Sequence, residues 1–148
     1  MASYLKRVKE ILETHYNEVS DGGIVEKSPS KLVRGEGVQK QFYILKIDLV
    51  GSTMMLHGRH IQTYLKLIHS FLSTIDKIAQ DFGADPQQME YAGDGLLAYF
   101  LESETTAGSV LAAACYMLEA VRNLQGLDQT LSFMKPRCRI VLHHASLT

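Results

Sequence analysis

Two aspartates stand where acids are costly. Asp48 interrupts the apolar run Phe42-Tyr43-Ile44-Leu45-Lys46-Ile47-Asp48-Leu49-Val50, immediately ahead of Gly51-Ser52-Thr53. Asp94 sits in Tyr91-Ala92-Gly93-Asp94-Gly95, which opens a second apolar run, Leu96-Leu97-Ala98-Tyr99-Phe100. Two carboxylates brought together repel unless a cation lies between them. Oxygen donors of this kind suit Mg²⁺ or Mn²⁺ rather than zinc, and no Cys/His set has zinc spacing. Two such ions, ~3.5–4 Å apart, clamp the attacking and leaving oxygens of a phosphoryl displacement. The backbone amides of Val50, Gly51, Ser52 and Thr53, at a turn into a helical segment, form a natural phosphate cradle. The expected site therefore has Asp48 and Asp94 as metal ligands and catalytic groups, the Leu49 carbonyl as a helper, and a nucleoside triphosphate held by its phosphates. Taken singly, Gly-Asp-Gly is an ordinary hairpin turn, and an Asp before Gly-Ser-Thr is an ordinary helix cap. Metal binding requires that the fold bring the two together.

The elements around them predict that it does. Phe42 to Val50 reads as a central strand. A short helical turn, Met54 to His57, precedes a longer helix from Arg59 to Phe82, where Ile61, Tyr64, Leu65, Ile68, Phe71, Leu72, Ile75 and Ile78 recur at three- and four-residue steps. Gly83 ends it. Gln87 to Ala92 and Leu96 to Leu101 read as a hairpin closed by Gly93-Asp94-Gly95. Thr105 or Thr106 caps a helix running to about Leu124, Gly126 stops it, and Pro136 precedes a last strand, Arg137 to His143. The order βαββαβ is the ferredoxin-like motif of an α+β palm. Right-handed connections then set the hairpin's return strand antiparallel to the first strand, which puts Asp48 beside Asp94. Ahead of this core, residues 1–41 read as an N-terminal helix, with Leu5, Val8, Ile11 and Leu12 on one stripe from Ser3 to Glu18, followed by a polar loop. Residues 42–148 form the second domain.

Composition narrows the classes. With 148 residues, 46% of them hydrophobic, the chain has room for a real core, and its net charge of -1 provides no basic field for nucleic acid. No apolar run approaches the ~20 residues of a membrane span, and the N-terminus lacks the apolar segment of a secretory signal. The two cysteines, Cys115 and Cys138, are expected to be buried free thiols in a reducing compartment. The expected location is cytoplasmic.

The two acid-bearing segments resemble the class III nucleotide cyclase catalytic domain. That family has an apolar strand ending in Asp before a short Ser/Thr turn, here Ile44 to Thr53, and a Gly-Asp before an apolar strand ending in Phe, here Gly93 to Phe100. Its third motif, Arg-x-Gly-x-His-x-Gly, stands as Arg139-Ile140-Val141-Leu142-His143-His144-Ala145, with Val141 and Ala145 replacing both glycines. The resemblance covers about Phe42 to the end. It implies a cyclase that converts a nucleoside triphosphate to a 3′,5′-cyclic nucleotide plus pyrophosphate, using Mg²⁺ or Mn²⁺, as a homodimer with shared sites. The position four before the second Asp helps choose the base. It is Glu90 here, where adenylate cyclases carry Lys and guanylate cyclases often carry Glu. The short N-terminal segment resembles the stand-alone pyrimidine cyclases of bacterial Pycsar anti-phage systems, which make cyclic UMP or cyclic CMP.

The family also supplies, beyond the fourth strand, a second base-reading residue and an Asn and an Arg that stabilise the transition state. The chain stops at Thr148, before all of them. The C-terminal part is thus expected to be missing, with weak or no turnover from these residues alone. The competing reading is a catalytically incomplete cyclase-like module that dimerises or senses nucleotide. A polymerase-like palm shares the topology, but near-neutral charge disfavours it. His143 and His144 are expected to be structural, since neighbours on a strand point to opposite faces. Arg137 and Arg139 share a face and read as strand-edge charges, with a phosphate contact as the alternative. Tyr43 and Tyr91 read as packing residues, and Lys46 as either a snorkelling chain or a phosphate contact.

Overall fold

The computed structural model describes residues 28–31, 36–51, 61–127 and 135–148, with Thr14 and Gln129 in addition. The expected N-terminal helix, the short turn at Met54 to His57, and Ser52 and Thr53 lie outside the described residues. Chain contacts divide the molecule into two units, Met1–Lys40 with Ser146–Thr148, and Gln41–Ala145.

The described elements are β1 (Lys40–Val50), α1 (Ile61–Asp81), β2 (Glu90–Ala92), β3 (Gly95–Leu101), α2 (Ala107–Leu124) and β4 (Arg137–Leu147), with 3₁₀ turns at Pro29–Lys31 and Pro86–Gln88. The sheet has four strands in the order β2-β3-β1-β4, as the βαββαβ reading requires. β1 pairs antiparallel with β3 from Phe42↔Leu101 to Asp48↔Gly95, and β2 pairs antiparallel with β3 through Glu90↔Leu97 and Ala92↔Gly95.

One face of this sheet meets the helices. Leu45, Ile47 and Leu49 of β1 and Leu96, Ala98 and Phe100 of β3 form one buried cluster with Leu67, Phe71 and Ile75 of α1 and Val110, Ala114 and Met117 of α2. The period of two along each strand sends these residues to one side. The buried stripe of α1 is Leu67, Phe71, Ile75 and Ala79 at strict four-residue steps. Ile61 and Leu65, expected on that stripe, are exposed.

Local chemistry sets the boundaries. α1 ends in a Schellman motif, in which the Ala84 N–H donates to the Ala79 carbonyl at 2.9 Å and the Gly83 N–H to that of Gln80 at 3.0 Å. Gly83 adopts φ +101°, which favours glycine. Thr106, not Thr105, caps α2, its hydroxyl accepting from the Ser109 N–H at 3.2 Å. β2 is shorter than the expected 87–92. Asp85 accepts from the Gln87 N–H at 2.9 Å and Pro86 starts a 3₁₀ turn, so the chain turns before it can pair. β4 runs four residues beyond His143, to Leu147. Cys115, expected inside, is exposed on α2, and Cys138 is partly buried; both are free thiols.

Candidate functional site

The opposite face of the sheet carries the candidate site. Alternation along β1 places Phe42, Ile44, Lys46 and Asp48 there, and the register adds Leu97, Tyr99 and Glu90. Asp48 pairs with Gly95, the residue after Asp94. The Leu49 N–H donates to the Asp94 carbonyl at 3.3 Å. The backbones of the two acid-bearing segments are thus hydrogen-bonded neighbours, although 46 positions separate Asp48 from Asp94 in the chain.

Two glycines make this approach possible. Gly93 turns the hairpin with φ +60°, a left-handed conformation at the first turn position. Gly95 has no room for a side chain, because a Cβ there would lie 2.7 Å from the Ile47 carbonyl oxygen and 3.1 Å from the Asp48 Cβ. The glycine after Asp94 therefore lets β3 press against β1 at the acid.

A third charged group joins them. Arg139 of β4 donates from Nη2 to Asp48 Oδ2 at 2.8 Å. Its hydrogen bond to Asp48, then the charge of Asp48, hold the guanidinium proton more firmly than usual; slight desolvation opposes this, and the charge of Asp94 adds to it. Burial pushes the Cys138 thiol pKa up, and the charge of Asp48 adds to the shift. The end of the sheet at Asp48 is therefore a negative field that already accepts a cationic group. From the sequence alone Arg139 reads as a strand-edge charge or a phosphate contact. Its role follows from two facts visible only together, that β4 neighbours β1 and that Arg139 falls on the Asp48 face.

The remaining expected residues are placed as follows. Leu49 is buried by its side chain, Val50 is half-buried, and Gly51 is exposed with φ +73°. The Ser52 and Thr53 half of the phosphate cradle lies outside the described residues. Glu90 is exposed on the open face and accepts from the Tyr99 hydroxyl at 3.4 Å. Tyr99 stands edge-on to Phe42, with ring centroids 6.3 Å apart. Lys46 is exposed on the same face. Tyr91, expected to be a packing residue, is exposed and donates its hydroxyl to Asp76 of α1. Tyr43 packs partly buried against the core and lies over His144, with centroids 4.9 Å apart. His144 also approaches Glu102 at 3.4 Å, which fits a structural role. A groove of about 320 Å³ lies elsewhere, between α1 and α2, lined by Ile78, Phe82, Tyr116 and Glu119 among others; it contains none of the site residues.

The donor set fits a hard divalent cation. The backbones that carry the two acids adjoin, and a cationic side chain already pairs with Asp48. Among the described residues no group of three or more His, Cys, Asp and Glu side chains converges to hold a metal. The rest of a coordination shell here would come from backbone carbonyls, water and substrate oxygens, as is usual for Mg²⁺. Among the described residues no helix is long and apolar enough to cross a membrane.

Neither a protein-family model nor a curated protein matches the chain. Solved structures do. The chain is similar to the guanylyl cyclase Cya2, with TM-score 0.59 and 19% identity over 74% of this chain and 56% of that one. It is also similar to a bacterial light-regulated adenylyl cyclase, with TM-score 0.65 and 14% identity over 97% of this chain and 42% of that one. A second structure described in the same terms gives TM-score 0.64 and 13% identity, covering 98% and 41%. The chain thus spans about half the length of the structures it matches or less. The mixed α+β architecture, an antiparallel four-stranded sheet with two helices, is that of the class III cyclase-like fold.

Proposed function

We infer that this chain carries the metal site of a nucleotide cyclase, which converts a nucleoside triphosphate to a 3′,5′-cyclic nucleotide and pyrophosphate. One observation carries the reading: on a cyclase-like fold, the β1–β3 register sets Asp48 against the Asp94-Gly95 turn. Mg²⁺ or Mn²⁺ bound there would neutralise the triphosphate and activate the 3′-hydroxyl that attacks the α-phosphorus as pyrophosphate leaves. Asp48 and Asp94 hold the charge that draws such an ion, with the Leu49 carbonyl as a further donor. The amides from Val50 through Thr53 orient the phosphates.

Glu90 lies on the same open face and presents an acceptor to the base. An acceptor suits a ring N–H or an exocyclic amine, as in uracil and cytosine. With the resemblance to the stand-alone pyrimidine cyclases, this supports a cyclic UMP or cyclic CMP product in anti-phage defence. Guanine offers the same donors, so the alternative is a guanylate cyclase, or an adenylate cyclase, the activities for which the structural neighbours are named. A homodimer is supported by apolar side chains on the open sheet face, where Phe42, Ile44 and Leu97 are only half-buried.

The test is Mn²⁺-dependent binding of ATP, GTP, CTP and UTP, alongside a cyclase assay with each. The reading predicts metal-dependent nucleotide binding that Asp48→Ala abolishes, with UTP or CTP bound most tightly. Preference for GTP would favour the guanylate alternative. Binding without turnover fits the incomplete module, and binding unchanged in Asp48→Ala contradicts the metal site.

A further inference from the structure

We propose that Arg139 is a built-in counter-cation for the acid pair, which a divalent ion must displace from Asp48. The proposal rests on the metal reading of Asp48 and Asp94 and adds a competitor to it. Three observations carry it. Arg139 Nη2 lies 2.8 Å from Asp48 Oδ2, so one oxygen that would ligate a metal is already accepting a hydrogen bond. The pairing is lopsided: the Asp48 side chain is 24% exposed and that of Arg139 is 71% exposed. The acid is set into the sheet and the cation lies towards solvent. Asp94 belongs to the turn whose backbone is hydrogen-bonded to β1 beside Asp48, so the second acid adjoins the same ion pair.

The physical consequence is competition. The Arg139 guanidinium offsets part of the negative charge at Asp48 when no divalent ion is present. A divalent ion at Asp48 would face that positive charge at close range and is disfavoured until Arg139 leaves. An ordinary structural ion pair between strands at this exposure contributes little. Placed on an expected metal ligand, it instead sets the threshold for metal entry. Arg139 acts here through Asp48 and is a positioning residue.

Mn²⁺ titration of the full chain, followed by electron paramagnetic resonance of the free ion without nucleotide, reads this directly. Arg139→Gln should bind Mn²⁺ roughly fivefold more tightly than the parent. It should also lose more thermal stability than the parent on adding EDTA. Arg139→Lys keeps the charge and should stay within about twofold of the parent. Asp48→Asn should lose binding whether or not Arg139 is changed. Unchanged or weaker affinity in Arg139→Gln, with binding still dependent on Asp48, would overturn the counter-cation and leave the metal site standing. An Arg139→Lys chain as tight as Arg139→Gln would overturn it as well. Binding that ignores Asp48 in every variant would overturn both readings.

Discussion

The two faces of the sheet are built from the same strands and follow opposite rules. On the helix side, Leu45, Ile47, Leu96, Ala98 and Phe100 are at most 1% exposed and belong to one apolar cluster. On the open side, the intervening positions carry Lys46, Asp48, Tyr99 and, across the register, Glu90. One face supplies stability through area removed from water. The other holds charges in fixed mutual positions, at an energetic cost that the first face covers. The strand period of two lets a single run such as Leu45 to Leu49 serve both.

That division predicts a clean separation of effects. Asp48→Asn should abolish Mn²⁺-dependent nucleotide binding while the chain melts close to the parental temperature, measured by calorimetric titration and circular dichroism. Phe100→Ala should do the reverse. It should lower unfolding free energy by about 3–5 kcal/mol in urea, with metal binding intact in the folded fraction. Gly95→Ala falls between the two faces. Its Cβ would meet the Ile47 carbonyl at 2.7 Å, so a loss of about 1–3 kcal/mol is expected, together with weakened Mn²⁺ binding as β1 and β3 part at Asp48.

The smallest effect belongs to Tyr91, whose phenol pKa is pushed up to about 12, first by its hydrogen bond to Asp76, then by burial and the Asp76 charge. The folded state holds this proton more tightly than the unfolded chain does. The contribution is therefore fully present below the ordinary phenol value of 10.0 and fades as pH rises towards about 12. In an ultraviolet titration of the seven tyrosines, Tyr91→Phe should remove the last step of ionisation while leaving metal binding unchanged.

Much of this was legible in the chain itself. Two apolar runs, each bearing one acid, and a glycine-flanked hairpin were enough to derive β1, β3 and their antiparallel contact. Glycine at 83 marked the end of α1, because only a left-handed residue completes that cap. Other features depended on tertiary context. Ile61 and Leu65 have the right type for the core but sit beyond the four-residue stripe that faces the sheet. Asp85 and Pro86 shorten β2 by capping a 3₁₀ turn, a competition between local hydrogen bonds that periodicity does not register. The pairing of Arg139 with Asp48 depends on the strand order and on the face parity of β4 at once.

The most direct test of the central claim is an anomalous-scattering map of crystals grown with Mn²⁺ and a non-cyclisable nucleoside triphosphate analogue. The account predicts Mn²⁺ bound by both Asp48 and Asp94, with the triphosphate reaching the same ion. Ions held elsewhere, or by one of the two carboxylates without the other, would contradict it.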